Sequence, residues 1–470
     1  MLQRSFLFSF FILALVSCTA PSFYEKSYEF NKDISTGNFD AAEKLLEEHK
    51  DKLEESKIRF LYFVNGGLVE HLKGNFEKSN AFFEKADLFV EDERKKGVEQ
   101  GAALLINPNI STYYGEDHEI LMINYYKALN YYLLNEKDEA LVEARRLNLR
   151  LQTLSEKYKD STKYQEDAFM HALMGMIYET NNNYNDAFIA YRNAYEIYEK
   201  GYSKMFKLSA PLQLKKDLIR TAGLAGMGEE RRAYEKSFGM TYEKETSEAS
   251  VIMLWNNGMG PVKEEWGINF AIVYTGGGWI SFVSRDYGLS FPFYVGNTDM
   301  RGLTWIKVVF PRYVTREMLF NKAIAKVDEN EYELELAENI DAISFKVLNE
   351  RMVAEFSKSL LRVALKQVAA YKIGENNDSP ALGAGLSVLA SVSESADTRN
   401  WQTLPHSIYY TRVPVPAGKS TINFIMTGPN TQPEPHALEV NINKGETKIF
   451  PFYSLGAYEP KTLNRAKAMQ

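Results

Sequence analysis

The chain has 470 residues, of which 45% are hydrophobic and 13% are aromatic. This length and composition predict two or three folded domains and exclude a chain that is disordered throughout. The formal net charge of −7 argues against nucleic acid as a general partner, because phosphate binding needs clustered lysine and arginine. Beyond the N-terminus, no run of the sequence approaches the ~20 apolar residues that cross a bilayer.

Residues 1–17 have the pattern of a bacterial lipoprotein signal peptide. Arg4 supplies a positive charge, and Phe6–Val16 is a mostly apolar run that is too short to span a membrane. The motif "LVSC", which ends at Cys18, resembles the lipobox, in which the cysteine receives a diacylglycerol. Cys18 is the only cysteine of the chain, so a disulfide within the chain is excluded. We predict lipidation of Cys18, with palmitate among the acyl chains, and a tether over residues 18–24. The alternative is an ordinary secretory signal with an incidental cysteine.

The residue after Cys18 bears on the location of the protein. It is Thr19 and not aspartate. In the sorting pattern common among Gram-negative lipoproteins, this resemblance implies the outer membrane, on its periplasmic face. Several acyl chains exceed the two signals that stable anchoring needs, at ~0.8 kcal/mol for each buried CH₂. We therefore expect Cys18 to hold the protein at a membrane.

The first half of the chain contains sequence repeats. The segment "HALMGMIYETNNNYNDAFIAYRNA", which starts at His171, resembles a tetratricopeptide repeat (TPR). Small residues such as Gly175 and Ala187 let two helices approach closely, and aromatic residues such as Tyr191 fill the gaps between them. We therefore expect most aromatic residues of these repeats to be core residues.

Further copies are "FVNGGLVEHLKGNFEKSNAFFEKA" and "NYYKALNYYLLNEKDEALVEARRL", and the partial copies "TGNFDAAEKLL" and "LIRTAGLAGMGEERRAYEK" flank them. Equivalent positions (Ser79, Ala140 and Ala187) are 61 and then 47 residues apart. The standard spacing is ~34 residues, so the repeats are degenerate and carry insertions. We predict a TPR-like helical solenoid over residues 25–247, with a groove for a peptide or protein. A generic helical bundle is the alternative.

Two segments of the repeat region carry candidate partner-binding residues. The segment "STYYGEDHEI" contains Tyr114 and, at a predicted helix start, Glu119; the segment "ALVEARRLNLRL" contains Arg145 and Arg146. In a groove, paired arginines would engage a carboxylate-bearing partner. The alternative is structural, because Glu143 and Arg146 are i,i+3 neighbours that can pair with each other.

After about Thr246 the pattern changes to short alternating segments, which predict strands. They are "ASVIMLW", "GINFAIVYT", "GWISFVS", "LTWIKVVF", "EYELELAENI" and "STINFIMTG". One long helix is predicted from about Asp341 to Ile373, and a short one after it, in "SPALGAGLSVLASVSESADTRNW". The fold class is therefore α+β and multidomain, with a TPR-like solenoid followed, over residues 248–470, by a mainly antiparallel β-rich domain with one long and one short helix.

Motifs that suggest chemistry have simpler explanations. Gly418-Lys419-Ser420 lacks the earlier glycine and the following helix of a phosphate loop, so it predicts a hairpin turn, as does Gly276-Gly277-Gly278. The histidines show no paired metal spacing, and no serine stands in a G-x-S-x-G motif. We predict no cofactor, no metal and no enzymatic activity. A carboxylate pair brought together from distant segments is the remaining route to a hydrolase.

The segment "SADTRNWQTLPHSIYYTRVPVPAG" is the most distinctive part of the second half. We predict that Arg399 and Trp401 belong to a second docking surface. The structural alternative pairs Arg399 with Asp397 and places Trp401 in the core at a junction between elements. A Tyr-rich strand is expected to follow.

The lipobox, the repeats with "YYGEDHE" and "ALVEARRLN", and the later "ADTRNWQTLP" and "PVPAG" make the chain similar to a family of tetratricopeptide lipoproteins of Gram-negative bacteria. The resemblance covers most of the chain after residue 17. It implies a lipid-anchored scaffold that binds other cell-envelope proteins or lipoproteins, in cell-envelope assembly. The alternative from another class is a glycan-handling lipoprotein, either a nutrient-capture binder or a cell-wall hydrolase. Aromatics exposed on one face would favour glycan binding, and aromatics buried between helices would favour the scaffold.

Overall fold

A computed structural model describes residues 21–96, 111–157, 164–241, 248–296, 304–376 and 395–461. Helices occupy the first half, and strands with one long helix occupy the second. In chain order the helices are α1 (Phe23–Lys26), α2 (Tyr28–Ser35), α3 (Phe39–Glu48), α4 (Lys50–Glu54), α5 (Arg59–Leu72), α6 (Phe76–Lys96), α7 (Asp117–Leu133), α8 (Lys137–Lys157), α9 (Ala168–Thr180), α10 (Tyr184–Ile197) with a π-helical turn (Tyr198–Tyr202), α11 (Ser203–Met205), α12 (Leu212–Leu224), α13 (Gly228–Phe238) and α14 (Ile340–Asn376).

Five helical hairpins, α2–α3, α5–α6, α7–α8, α9–α10 and α12–α13, share one turn geometry. Two positions after the last residue of each first helix, the chain adopts a positive φ, at Gly37, Gly74, Asn135, Asn182 and Gly226 in order. In the α9–α10 turn, the Asn182 N–H donates to the Glu179 carbonyl at 2.8 Å and the Asn183 N–H donates to the Tyr178 carbonyl at 2.9 Å. This is the Schellman pattern, which satisfies the last carbonyls of a helix. The recurrence confirms the predicted repeats, including both partial copies.

Close helix packing within the hairpins depends on glycine. A Cβ atom on Gly175 of α9 would lie 2.6 Å from the Tyr191 ring of α10, and one on Gly67 of α5 would lie 2.7 Å from the Phe83 ring of α6. Tyr191 and Phe83 are fully buried. In these two hairpins small residues therefore face large aromatic residues across the helix interface, as the sequence predicted.

The strands form three four-stranded sheets. The strands are β1 (Ala249–Asn257), β2 (Val262–Gly276), β3 (Trp279–Ser284), β4 (Leu289–Tyr294), β5 (Trp305–Val314), β6 (Lys322–Val327), β7 (Asn330–Glu333), β8 (Glu335–Asn339), β9 (Ser407–Val415), β10 (Gly418–Gly428), β11 (Thr431–Ile442) and β12 (Thr447–Ser454). We name the sheets central (order β12-β1-β9-β8), back (β11-β10-β6-β7) and outer (β4-β3-β2-β5). Neighbouring strands are antiparallel except β1 and β12, which are parallel.

The central sheet is buried on both faces. One face, which includes Val251 and Trp255 of β1, packs on the back sheet as a sandwich. The opposite face, which includes Ile252 and Leu254, packs into the core of the helical repeats. All nine residues of β1 are buried, which explains why its middle, "VIMLW", is a continuous apolar run rather than an alternating one.

The outer sheet packs one face against α14. The Phe356 ring of α14 stacks on Phe310 of β5, with 4.8 Å between the ring centroids, and Leu360 and Val363 extend this contact. The predicted long helix is therefore confirmed. The predicted short helix falls mainly on residues 377–394, which lie outside the described residues; residues 395–401 at the end of that segment are not helical.

The structure corrects one predicted strand. "EYELELAENI" was expected to form a single strand, but β7 belongs to the back sheet and β8 to the central sheet. The chain changes sheets at Leu334, whose N–H donates to the Ala323 carbonyl at 3.0 Å. Leu334 is buried in the sandwich between the two sheets, so both strands contribute apolar residues without forming one ladder.

The division of the chain near residue 247 coincides with a change of secondary structure, because α13 ends at Phe238 and β1 begins at Ala249. Whether residues 25–247 and 248–470 fold independently stays a prediction. Among the described helices, none combines the length and the apolar character that a membrane span requires.

Candidate functional site at the interface of the repeats and the central sheet

The first helices of four hairpins make polar contacts with the central sheet. In chain order, the contacts are His71 Nε2 of α5 to the Tyr453 hydroxyl at 2.5 Å, Tyr125 hydroxyl of α7 to Asn256 Oδ1 at 2.9 Å, Glu179 Oε2 of α9 to Arg412 Nη2 at 2.8 Å, and Asp217 Oδ1 of α12 to Arg412 Nε at 2.7 Å. The side of the repeats on which we predicted a partner groove is therefore occupied by the chain's own sheet.

A buried ion cluster lies at the centre of this interface. Arg412 of β9 contacts Glu179 and Asp217, and Arg220 of α12 contacts the same two carboxylates at 2.6 and 3.2 Å. The Ser250 hydroxyl accepts a further hydrogen bond from Arg412 Nη1 at 2.8 Å. The four charged side chains, two positive and two negative, are at most 9% exposed. The cluster is thus electrically balanced, which buried ions require.

The two arginines fix the charge state of Glu179. Burial by itself raises the pKa of this carboxyl, but the charges of Arg220 and Arg412 outweigh burial and lower the pKa to about 2. Glu179 is therefore ionised at neutral pH. The bonding of two helices to one strand through charged hydrogen bonds holds the repeats at a defined position on the sheet.

A second buried cluster surrounds the start of α7. Glu116 and Glu119 form a capping box there. Glu116 Oε1 accepts hydrogen bonds from Lys263 at 2.9 Å and from Arg351 at 2.8 Å. Glu119 accepts from the Tyr113 hydroxyl and from a backbone N–H of the distant loop before β9. The cluster joins the repeats to β2, α14 and this loop.

The two glutamates differ in protonation. Burial raises the pKa of Glu119 to about 7, and the neighbouring charge of Glu116 adds to the effect. Burial also raises the pKa of Glu116, but Lys263 and Arg351 outweigh it and lower the pKa to about 2. Below about pH 7 the negative charge of the pair therefore lies mainly on Glu116, and Glu119 is the group that titrates near neutral pH.

The structure brings together residues that the sequence assigned to two separate surfaces. The backbone N–H of Trp401 donates to Glu119 Oε1 at 2.7 Å, and the two residues are 282 positions apart in the sequence. Arg399 bonds both carboxylate oxygens of Asp397 at 2.8 Å and the Ser111 carbonyl at 2.8 Å. Glu119, Arg399 and Trp401 are at most 5% exposed. The contacts match the structural alternatives for Arg399 and Trp401, and partner binding by these three residues would need a face that is covered here.

Tyr114, Arg145 and Arg146 lie elsewhere. Tyr114 is 45% exposed just before α7. Arg145 and Arg146 lie on the exposed side of α8, the second helix of its hairpin, so they face away from the central sheet. The predicted i,i+3 pair is confirmed, since Arg146 Nη1 lies 2.8 Å from Glu143 Oε1. Partner binding by Tyr114 and the two arginines stays a prediction.

Exposed apolar residues accompany the two arginines. Leu149 of α8 is 61% exposed and Leu88 of α6 is 54% exposed. An ion pair between Asp87 and Arg150 links the two helices at this level. We name Leu88, Arg145, Arg146 and Leu149 the α6–α8 surface. It combines apolar area with two arginines on the outside of the repeats, and Arg146 lies 4.0 Å from the half-exposed Glu84 of α6.

Sequence reasoning missed Arg412, Glu179 and Asp217. A signal was present at Arg412, because a charged residue in the middle of the apolar segment "SIYYTRVPV" needs a buried partner. Glu179 and Asp217 gave no such signal, since acidic residues at helix ends and on helix faces are common. Their role depends on which strand packs against them.

No catalytic arrangement emerges from the described part of the chain. No group of three histidine, cysteine, aspartate or glutamate side chains there is suited to hold a metal ion. Gly418 has φ of 96° and opens β10, so the Gly-Lys-Ser motif forms the predicted turn followed by a strand. Gly276 to Gly278 likewise connect β2 to β3.

The fold thus defines a class: a TPR-like array of helical hairpins built around a β-sandwich that carries an additional outer sheet. No protein-family model and no curated protein matches the chain. One similar solved structure is BtubC from P. vanneervenii, with 14% identity over 45% of this chain and 79% of that chain and a TM-score of 0.31. Another is the MamA protein, with 13% identity over 46% of this chain and 96% of that chain and a TM-score of 0.27. A third is a Podosopora anserina kinesin light chain-type protein with nearly identical TPR-like repeats, with 14% identity over 47% of this chain and 100% of that chain and a TM-score of 0.31. The matched regions cover about half of this chain.

Proposed function

We propose that the protein is a lipid-anchored, non-enzymatic scaffold of the bacterial cell envelope. The observation that carries this proposal is the α6–α8 surface, which remains exposed on repeats whose opposite side is bonded to the central sheet. A rigid helical array with an exposed mixed apolar and basic surface is suited to binding another protein. The repeats then act as a fixed platform rather than as an open groove.

The chemistry of the surface suggests its partner. Arg145 and Arg146 can form bidentate contacts with carboxylates, and Leu88 and Leu149 can bury apolar area beside them. The expected partner is another envelope protein or lipoprotein that presents acidic side chains next to apolar ones. Acylation at Cys18, which lies outside the described residues, would place the scaffold at the outer membrane on the periplasmic side. It would also raise the local concentration of both partners.

The experiment is crosslinking in intact cells followed by pull-down, for the wild type and the Arg145→Glu/Arg146→Glu variant. We expect the variant to recover at least one envelope protein in amounts reduced about tenfold, since two charges are reversed in one contact. The matched control is Lys44→Glu/Lys200→Glu, which reverses two exposed lysines on other helices. An identical partner list for all three proteins would contradict the proposal.

The anchor is tested separately. Metabolic labelling with a palmitate analogue should mark the wild type and leave Cys18→Ala unmarked. Equal labelling of both proteins would exclude lipidation at Cys18. This result leaves the partner experiment unaffected, because the α6–α8 surface does not involve Cys18.

The alternative, a glycan-handling protein, depends on exposed aromatic residues. The repeat aromatics Tyr125, Tyr126 and Tyr191 are fully buried, which favours the scaffold. A hydrolase would need two carboxyls in an open cleft, whereas Glu116 and Glu119 are enclosed by the side chains described above. Exposed aromatics do occur on the outer sheet, where the accompanying charges favour a different ligand.

A further inference from the structure

The outer sheet exposes aromatic residues on the face that points away from α14. Trp279, Tyr294 and Trp305 are 48%, 59% and 58% exposed, and Trp279 and Tyr294 form a cross-strand pair with 5.2 Å between ring centroids. Val273 of β2 is exposed on the same face, whereas the adjacent Tyr274, which pairs with the buried Ile280, is exposed on the opposite face. We name Val273, Trp279, Tyr294 and Trp305 the aromatic end.

The aromatic end lies at one end of the sheet. At the opposite end Val262 of β2 pairs with Val314 of β5, and Arg316, two residues later, donates to the Gly260 carbonyl at 2.8 Å beside the central sheet. Towards that side the outward positions of the sheet are polar, such as Asn269 and Glu265. On the outward face, the apolar exposure is therefore concentrated in the part of the outer sheet that extends away from the body of the protein; Tyr287, in the β3–β4 turn at the other end of the sheet, is also exposed.

Exposed aromatic residues are not needed for the fold of this sheet. Its inward positions, such as Phe270, Phe282 and Ile306, are fully buried against α14. Outward positions of a sheet with one solvated face are ordinarily polar. A cluster of large apolar side chains at such positions marks an interaction site.

The exposed side of α14 has the same character. Leu361, Leu365 and Ile373 are 43%, 38% and 46% exposed, and their spacing of four and eight residues places them on one side of the helix. Nine of the sixteen large hydrophobic side chains that are exposed in the described residues belong to β2, β3, β4, α14, the first residue of β5, and the β3–β4 turn. The outer sheet and α14 therefore concentrate the exposed apolar surface of the described chain.

Exposed lysines accompany this apolar surface. Residues 266–296, 304–311 and 356–376 contain six lysines and arginines and two acidic residues; without Arg362, which is buried, their net charge is +3 in a chain of net charge −7. Lys307 and Lys372 are exposed. The apolar stem of Lys307 crosses the outer face, because a Cβ on Gly267 would lie 2.5 Å from Lys307 Cε. Its ammonium group is thus carried on the same face as Trp305.

We propose that the aromatic end binds the surface of an anionic lipid bilayer, as a membrane contact that does not depend on acylation of Cys18. Tryptophan and tyrosine prefer the bilayer interface, and lysines beside them reach lipid phosphates while their stems stay on apolar surface. Anionic lipid attracts such basic residues, at a gain of about fivefold in binding for each one. A second copy of the chain is a poorer fit, because two faces of the same positive charge repel each other.

The test uses the full chain with Cys18→Ala, which cannot be acylated at that position, and vesicles of phosphatidylglycerol and phosphatidylethanolamine or of phosphatidylcholine alone. Residues 1–17 are present in every variant, so differences between variants report the outer sheet. We expect the Cys18→Ala protein to sediment with the anionic vesicles. Trp279→Ser/Trp305→Ser in that background should bind them at least tenfold more weakly. The control Tyr114→Ser/Tyr458→Ser, which removes exposed aromatics elsewhere, should bind as well as the Cys18→Ala protein. Lys307→Gln/Lys372→Gln should weaken binding by about 25-fold.

Fluorescence identifies the residues that touch lipid. Trp255 and Trp401 are fully buried, whereas Trp279 and Trp305 are exposed, so brominated lipid should quench mainly the last two. The variant Trp279→Phe/Trp305→Phe should still bind vesicles but lose most of this quenching. The four double variants (both tryptophans to serine, both tryptophans to phenylalanine, both tyrosines to serine and both lysines to glutamine) should keep the wild-type unfolding midpoint, since the changed side chains are exposed.

Four outcomes would overturn the proposal. They are the absence of binding to anionic vesicles, equal binding by the serine variant and its control, a concentration-dependent dimer that the serine variant dissociates, and quenching by soluble oligosaccharides in place of lipid. None of these results bears on acylation of Cys18 or on the α6–α8 surface. The membrane contact and the scaffold proposal can therefore fail independently.

Discussion

Replacement of Arg412 by methionine tests whether the buried ion cluster holds the repeats on the central sheet. The cluster has two arginines and two carboxylates, so Arg412→Met leaves Arg220 alone with Glu179 and Asp217 and a net buried charge of −1. Removal of one partner from a buried pair costs about 3–5 kcal/mol. A whole domain is stable by only about 5–15 kcal/mol, so the loss should be large.

Urea unfolding, followed by tryptophan fluorescence, measures the effect. With a slope of ~3 kcal/mol per molar urea, a loss of about 4 kcal/mol lowers the midpoint by about 1.3 M. The control is Arg312→Met, because Arg312 pairs with Glu264 at 2.6 Å but is 47% exposed, and an exposed pair contributes up to about 1 kcal/mol. If Arg412→Met lowered the midpoint no more than this control, the cluster would not be what holds the two halves together.

Two further predictions concern packing and protonation. Gly175→Ala should lower the free energy of unfolding by about 1–3 kcal/mol, because the added Cβ would overlap the buried Tyr191 ring. The control is Gly223→Ala, which should be neutral or stabilising because its Cβ would meet the flexible Arg231 side chain at 3.3 Å. Equal effects of the two substitutions in urea unfolding would contradict the packing argument. Burial raises the pKa of Glu119 to about 7, so the folded protein holds the carboxyl proton of Glu119 more tightly than the unfolded chain does. The free energy of unfolding therefore falls as the pH rises from about 4.5 to about 7. The difference in unfolding free energy between Glu119→Gln and wild type should therefore change by about 3 kcal/mol across that window, and a constant difference would show that Glu119 does not titrate there.

The repeats could be predicted because their signals are local. A turn residue of positive φ, a glycine on the first helix and an aromatic residue on the second lie within one hairpin, as Asn182, Gly175 and Tyr191 do. Four strands were not predicted: β4, β6, β11 and β12. Of these, β4, β11 and β12 each contain proline and lie at the edge of a sheet, where the missing N–H costs no ladder bond. β4 and β11 pair with the preceding strands β3 and β10, so proline alone obscures them, whereas β12 pairs with β1, which is distant in sequence.

The interface between the halves depends on the same kind of distant pairing. Glu119 and Trp401 stood out in the sequence, but nothing in either segment indicates that a carboxylate accepts the N–H of a residue 282 positions away. Each was assigned to a separate surface because polar and aromatic residue types suit partner binding as well as they suit a buried junction. Burial decides between the two, and burial is set by the packing of the central sheet.

Occupation of the repeat groove constrains where partners can bind. A partner that entered the groove would first have to separate the central sheet from the repeats, which exposes the cluster of Arg412, Glu179 and Asp217 and the buried Trp401. One broken buried ion pair costs about 3–5 kcal/mol, and a micromolar complex gains about 8 kcal/mol in total. Loss of two such contacts would therefore consume the binding energy of an ordinary partner. Partners should instead bind surfaces that are already exposed, which are the α6–α8 surface for proteins and the aromatic end for lipid.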